Sequence, residues 1–330
     1  MAEAELESLL SPLAADAPCG ADPEYDPAFV ALNEAGAGKP ERQYGDKLYK
    51  AEPPDWDAVH EQALQLAART RDLRVAVWLA RSGARSGGVT AAVLGLQLIQ
   101  GLVERHWPHV HPLLDPADNH DPTARMSALA PLVDLSAGLA DFRAAGLTGK
   151  RGALTLREIE LALGHAEPLP GEAAPSKEGV AQAVNAAQAE QPALLAALRA
   201  GLDAAQGLAA VIEQQVEASQ SPQFKPLIDL MGCAAEAARL ATGEAPQASG
   251  ASVGRAGVPA LAGTIASRDD AIRALERVCE WIERSEPSNP APLLIRRAQR
   301  LMSKNFIDII RDLVPDGVSQ IEKLAGISDS

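Results

Sequence analysis

The sequence predicts an all-α protein of several modules, and three observations carry that reading. Alanine dominates a chain that is 47% apolar but only 3% aromatic. Apolar residues recur at steps of three and four along most of it, the period of a helix face. Stretches rich in proline, glycine and serine separate the periodic segments. Alanine loses no side-chain entropy in a helix, whereas the β-branched and aromatic residues that suit strands are scarce here. With 330 residues the chain suits more than one domain and is long enough to bury a core unaided.

In chain order, Asp22-Pro23-Glu24-Tyr25-Asp26 reads as an ordered turn leading to a helix that carries Phe29 and Leu32. After Pro53-Pro54, Asp55 is placed to cap a helix with Trp56, Val59, Ala63, Leu64 and Ala67 at helical steps. Arg71-Asp72 punctuates it. A second segment follows with Leu73, Ala76, Val77 and Ala80 on one side, Trp78 and Leu79 beside them, and a run-out at Ser82-Gly83 and Ser86-Gly87-Gly88. A third, 89–107, keeps Val89, Val93, Leu96, Gln100 and Val103 in register until Pro108 halts it. Their short connections predict a packed bundle. Another helix follows Pro122 with Met126, Leu129, Ala130 and Val133, and Thr155 is placed to cap 156–163 before Gly164. The proline-dense stretch 168–175 reads as a linker that closes an N-terminal domain, 1–167.

Residues 176–242 are nearly all helix formers, with Pro192 kinking or restarting the helix at a first turn. Leu194, Leu198, Leu202, Ala205, Leu208 and Ile212 form a narrow apolar seam. Ser221-Pro222 suits a cap and first turn for a helix carrying Phe224, Leu227, Ile228 and Met231, so 176–242 is expected as a middle helical hairpin. The Gly-, Ala- and Ser-rich 243–266 reads as a flexible linker. Ser267-Arg268-Asp269-Asp270 then opens a helix with Ile272, Leu275, Val278, Cys279 and Ile282. Pro287-Ser288-Asn289-Pro290 ends it, 291–303 forms the next, and a third carries Phe306, Ile309, Ile310 and Leu313. A domain of this size, 267–330, is marginal alone and suits stabilisation by oligomerisation.

Forty-four acidic against 30 basic residues give a net charge of −14, which repels a phosphate backbone and excludes nucleic acid as the main partner. Residues 267–330 hold 10 Lys and Arg against 11 Asp and Glu, net −1, so the remaining 266 residues carry −13. The two parts are expected to be modules with different surfaces. Cys19, Cys233 and Cys279 are odd in number and far apart, which excludes a disulfide framework and suits a reducing compartment. The first residues are acidic where a signal peptide is basic, and no run of about 18 consecutive apolar residues occurs, so the expectation is a cytoplasmic protein without direct membrane insertion.

Chemical motifs are weak. Gly250-Ala251-Ser252-Val253-Gly254 matches a hydrolase nucleophile elbow, yet it lies in the expected linker, and no histidine follows His165 to complete a triad. His106, His109 and His111, followed by Asp115, Asp118, His120 and Asp121, make a carboxylate-assisted metal site conceivable, and with it a metal-dependent hydrolase. The plainer account is a helix-ending histidine followed by two in a polar turn. Gly38-Lys39 and Gly149-Lys150 fail the phosphate-loop pattern, lacking Ser or Thr after the lysine. Arg296, Arg297, Arg300 and Lys304 read as a solvated basic helix face. No catalytic, cofactor-binding or metal-binding residue is assigned.

Several separated signatures occur in order. Pro18-Cys19-Gly20-Ala21-Asp22-Pro23-Glu24-Tyr25-Asp26-Pro27-Ala28-Phe29 comes first, then the Asp55-Trp56 helix opening. Arg71-Asp72-Leu73-Arg74-Val75-Ala76-Val77-Trp78-Leu79 follows, and last comes Trp107 with Pro112, Arg125 and Leu129. Together, over roughly 8–165, they resemble the ImpA-type N-terminal domain of the TssA family of the bacterial type VI secretion machine. The stretch from Arg268 through Pro287-Ser288-Asn289-Pro290, and then 306–316, looks like the tail of the shorter members. The resemblance implies a ring-forming cytoplasmic scaffold, six-fold or a multiple of it, that helps build baseplate, inner tube and contractile sheath without a reaction or cofactor of its own. It also implies structural roles for Pro18, Cys19, Gly20, Tyr25, Asp26, Trp56, Asp72, Leu73, Trp78, Trp107 and Arg125. Trp281, Leu293, Leu294, Phe306, Ile309 and Ile310 are expected at the ring core and interface, because so small a domain displays more apolar residues than it hides. The rival readings are the metal-dependent hydrolase and a soluble effector adaptor.

Overall fold

Side-chain caps set where many of the helices begin. Asp26 caps α2 (Pro27–Ala37), Asp55 caps α3 (Trp56–Ala67), and Asp72 caps α4 (Leu73–Ser86), each carboxylate accepting from a first-turn backbone N–H. Thr155 and Glu158 form a reciprocal capping box on α8 (Leu156–Leu163), and Ser176 caps α9 (Lys177–Glu190). Each such cap is worth about 1 kcal/mol. Further helices are α1 (Glu3–Leu10), α5 (Val89–His106), α6 (Thr123–Leu129), α7 (Gly138–Arg143), α10 (Leu194–Gln215), α11 (Lys225–Thr242) and α12 (Ala291–Met302). The computed structural model describes residues 3–244, apart from 40, 45, 46, 170 and 218, together with 275, 276, 278, 279, 282, 284 and 290–302.

The chain divides into two compact units, 1–248 and 249–330. In the first, α4 and α5 lie at the centre, α3 packs on α4, and α10 packs on α5 and α11. Leu79, Leu96, Leu98, Ile99, Leu102 and Leu129 are buried in its core. The α4–α5 contact explains the composition. A Cβ added at Gly95 falls onto the Ala80 backbone, and one at Gly83 lies 3.1 Å from the Ala91 carbonyl. Backbones this close leave room only for Gly and Ala, so burial comes from many small residues rather than a few rings.

The helices of 177–242 share that same core. Val180, Val184, Leu198, Leu208 and Met231 are buried together with Val93 and Leu96, and Gly201 faces the Val93 and Met231 side chains. Pro192 sits between α9 and α10, where the restart is expected. By length and composition α10 is apolar enough to cross a membrane. Arg199 and Asp203 interrupt it, and its buried positions serve the packing on α5 and α11.

Three local readings change. The run-out of the second bundle helix narrows to its second half: α4 ends at Ser86 with Gly87 as its cap, as expected, but passes through Ser82-Gly83, because Gly83 is the close-approach residue inside it. The expected cap at Ser221-Pro222 is three residues early, since Phe224 precedes the first turn of α11 and Pro226 stands within that turn. A small antiparallel hairpin, β1 (Arg42–Tyr44) with β2 (Lys47–Tyr49), interrupts the helices, pairing Arg42 with Tyr49 and Gln43 with Leu48. Lys39 and Glu52 close its base through paired backbone bonds and a 2.7 Å ion pair.

In the second unit, α12 fits the predicted 291–303 as far as residue 302. Cys279 is buried with its Sγ 3.9 Å from the Pro292 carbonyl, and Gln299 donates to the Glu276 carboxylate at 3.3 Å.

Candidate functional site

The separated signatures meet at the start of α4. The loop after α1 runs beside residues 69–72, with Gly20 bridged to Thr70 and the Arg71 N–H donating to the Cys19 carbonyl at 2.8 Å. Gly20 holds φ +70°, and a Cβ there would lie 2.5 Å from the Arg69 carbonyl, so only glycine suits the crossing. Residue 72 bridges in parallel to residue 111: Leu73 N–H donates to the His111 carbonyl at 2.9 Å, and His111 N–H to the Arg71 carbonyl at 3.0 Å. Three chain segments, around residues 20, 71 and 111, are thus laced by backbone bonds.

Charge completes the lacing. The Asp72 carboxylate caps α4 through Arg74 N–H and also receives the Arg74 guanidinium at 2.7 Å. Arg74 reaches on to Asp22 at 2.8 Å and lies 4.8 Å over the Phe29 ring, joining the loop, α2 and α4. Asp26 caps α2 and receives Arg69; that hydrogen bond holds its carboxyl below the usual range.

Two buried arginines work without acids. Arg71 donates to the Ser8, Ser11 and Ala67 carbonyls, so one guanidinium closes the C-terminal ends of both α1 and α3. Arg125, fully buried, donates to the Trp107, Val110 and Pro112 carbonyls beyond the end of α5 and stacks 4.5 Å over the Trp107 ring. Among the described residues neither forms an ion pair with a carboxylate. The partial negative charge at helix C-termini takes that place. Burial lowers the Arg125 guanidinium to about 10, so it stays charged at neutral pH.

The histidines do not converge. His106 Nε2–H donates to the Leu10 carbonyl at 2.7 Å, His111 Nε2–H to the Gly20 carbonyl at 3.0 Å, and His109 is exposed. Carbonyls only accept, so both buried rings carry their proton on Nε2. Among the described residues no group of three His, Cys, Asp or Glu side chains is placed to hold a metal ion. His60 and Ser82 form a 3.0 Å pair, but Ser82 gives its own proton to the Trp78 carbonyl at 2.7 Å, so His60 is the donor and no nucleophile is activated. Cys19 is buried, and desolvation raises its thiol to about 11, which keeps it inert.

A second cluster lies farther along α4. Trp78 donates its indole N–H to Asn33 at 2.9 Å. Arg81 lies 4.4 Å over the Trp78 ring and 5.9 Å from the Trp56 ring centre, while Arg85 lies 5.6 Å from Trp56. Asp141, buried on α7, binds Arg81 at 2.8 Å.

The signature residues therefore fall into groups. Cys19, Gly20, Asp72, Leu73 and Arg125 build the clasp with half-buried Pro18 at its edge; Asp26 caps α2; Trp107 backs Arg125; Trp56 and Trp78 hold the second cluster. Tyr25 stands apart, 91% exposed. Of the expected interface residues, Leu293 and Leu294 on α12 are 72% and 69% exposed within their unit. Trp281, Phe306, Ile309 and Ile310 lie outside the described residues. Sequence reasoning missed Arg71, Arg74, Arg81 and His111 as structural donors, since the acceptors that join them to other segments (Ser8 and Ser11, Asp22, Asp141 and Gly20) stand far away in the chain.

Comparison with known proteins places the chain in a family. Residues 10–134 match a family described as ImpA, N-terminal, type VI secretion system. The chain is 38% identical over 346 aligned residues to the type VI secretion system component TssA1 of Pseudomonas aeruginosa, covering 96% of this chain and 97% of that protein. Its structure is similar to the N-terminal domain, including the conserved ImpA_N region, of the TssA component from Burkholderia cenocepacia. That likeness has a TM-score of 0.51 and 27% identity, covering 72% of this chain and 94% of that one, a share well beyond residues 10–134.

Proposed function

The chain belongs to the TssA family of type VI secretion system components, and from that membership we propose that it is a non-enzymatic scaffold and assembly factor of the machine. In this reading 267–330 forms a homo-oligomeric ring, and the N-terminal helical module, with its 1–167 and 176–242 parts, presents surfaces to baseplate, tube and sheath proteins in the bacterial cytoplasm. The linker 243–266 lets each module reach its own partner. The mechanism is avidity: a ring of weak binders raises effective concentration, so individual contacts stay weak while the assembly holds.

The observation that carries the proposal is likeness along nearly the full length to a protein described as a component of this machine. The polar chemistry supports it. Arg71, Arg74, Arg125, His106 and His111 are all engaged in holding backbone or caps, which suits a frame rather than a reaction centre. Particle mass and symmetry of the purified full chain, by light scattering and electron microscopy, test the reading. A closed ring supports it, and a monomer at micromolar concentration overturns it.

A further inference from the structure

The Trp56–Arg85 patch carries more cation than the fold uses. Asp141 is buried, and its carboxylate is taken at 2.8 Å by Arg81, whose guanidinium is itself packed against Trp78. Arg85 is left at 3.8 Å from the other Asp141 oxygen, beyond hydrogen-bond reach, with its side chain 35% exposed. It forms a long ion pair with Asp141 but no hydrogen bond among the described residues, and its guanidinium lies 5.6 Å from the Trp56 ring centre. The indole N–H of Trp56 is buried and has no acceptor among the described residues. Asp134, the other carboxylate that feels Arg81, is occupied by the Ser136 N–H and hydroxyl, each at 2.7 Å. A planar fork of donors is thus held over an aromatic wall, one positive charge in excess of its paired acid, on a chain of net charge −14.

We propose that Arg85, walled by Trp56, is a docking point for a carboxylate side chain presented by an apolar-flanked segment of a partner protein. A guanidinium fork matches a carboxylate bidentately. Arg and Trp together are the residue types that dominate binding energy at protein interfaces. The overall negative charge disfavours polyanions such as nucleic acid, while a single acidic side chain on a protein meets one local cation and little net repulsion. The proposal rests on the reading of the N-terminal module as partner-facing, and its chemistry is tested without any machine component.

The probe is a blocked hexapeptide carrying two glutamates and two leucines, titrated into the full chain labelled with 5-fluorotryptophan. Its four tryptophans give separate fluorine resonances, with Trp56 assigned by Trp56→Phe. The expected result is a saturable shift at Trp56, absent with the peptide in which both glutamates are glutamine. Arg85→Gln is expected to weaken binding about tenfold or more, and Arg85→Lys to fall between, because it keeps the charge and loses the fork. Should Arg85→Gln lose helicity, Arg85→Lys decides alone. Equal binding of the two peptides, equal affinity in wild type and Arg85→Lys, or a larger Trp56 shift with inorganic phosphate overturns the proposal. A full chain that is monomeric at micromolar concentration yet shows the glutamate-dependent Trp56 shift overturns the ring reading and leaves this site standing.

Discussion

Arg125 lays its guanidinium 4.5 Å over the Trp107 ring while donating to the carbonyl of the same residue. One side chain thereby holds both the ring and the backbone beyond the end of α5. Arg125→Met fills much of the volume but leaves the Trp107, Val110 and Pro112 carbonyls without that donor, at an expected cost of about 3 kcal/mol or more. Arg125→Lys should not restore stability, since one ammonium cannot reproduce the fork. Urea unfolding followed by tryptophan fluorescence checks this; a wild-type midpoint for Arg125→Met would show the carbonyls to be satisfied by other means.

Asp72 both caps α4 and receives Arg74. Asp72→Ala should cost about 2 kcal/mol or more, a lost cap together with a half-buried guanidinium stripped of its nearest acid. Asp72→Asn keeps the cap oxygen and should lose clearly less. If the two variants unfold at the same urea concentration, the cap contributes nothing separable from the ion pair.

At Gly95 any side chain meets the Ala80 backbone. Gly95→Val is expected to destabilise by at least about 2 kcal/mol through overpacking, visible as a lowered melting temperature of the 1–248 unit. Gly232, where an added Cβ meets nothing within 4 Å, is the control position, and Gly232→Ala should leave melting nearly unchanged. Similar melting of Gly95→Val and Gly232→Ala would contradict the close α4–α5 approach.

Burial raises the Cys19 thiol to about 11 and the Cys233 thiol to about 12. Above the unfolded value near 9, the unfolded chain releases these protons while the native chain keeps them. Stability from these groups is therefore complete below pH 9 and falls as pH rises toward 11–12, by up to about 1.4 kcal/mol per pH unit per thiol. Cys233→Ala should flatten the loss of stability between pH 9 and 11, measured by urea titration at each pH. An unchanged slope would mean that Cys233 titrates alike in both states.

Leu293 and Leu294 are exposed within their unit. Replacing both with Asp should lower the particle mass of the full chain, because an unpaired carboxylate in an apolar contact costs several kcal/mol, about 3 or more. Circular dichroism should stay helical. A double variant of wild-type mass would place the subunit contact on other residues.

What was legible in the sequence is what neighbours in sequence decide. Asp55, Asp72 and Thr155 announce their helices because a cap acts within three residues, and the apolar steps of α3, α4 and α5 mark the buried faces. Gly83 misled because a helix-breaking residue and a close-packing residue look identical until the neighbour is known. The hairpin Arg42–Tyr49 carries no alternating apolar pattern, since Leu48 and Tyr49 are both exposed. The clasp motif was visible as residues but not as a device: the donors to Leu10, Cys19 and Gly20 are His106, Arg71 and His111, and periodicity says nothing of such pairings.

Those pairings also order events during synthesis. The Gly20 carbonyl waits for a donor 91 residues later, and the Leu10 carbonyl for one 96 residues later. At about 5–20 residues per second, the segment that leaves the ribosome first stays unfastened for roughly 5–20 s while its partners are translated. During that interval Leu9, Leu10 and Cys19, buried in the finished chain, are open to chaperones and proteases. The stretch from Leu10 to Gly20 is thus fastened only once residues 106–111 have been made, and a nascent chain halted before residue 106 lacks the two histidines that hold it down.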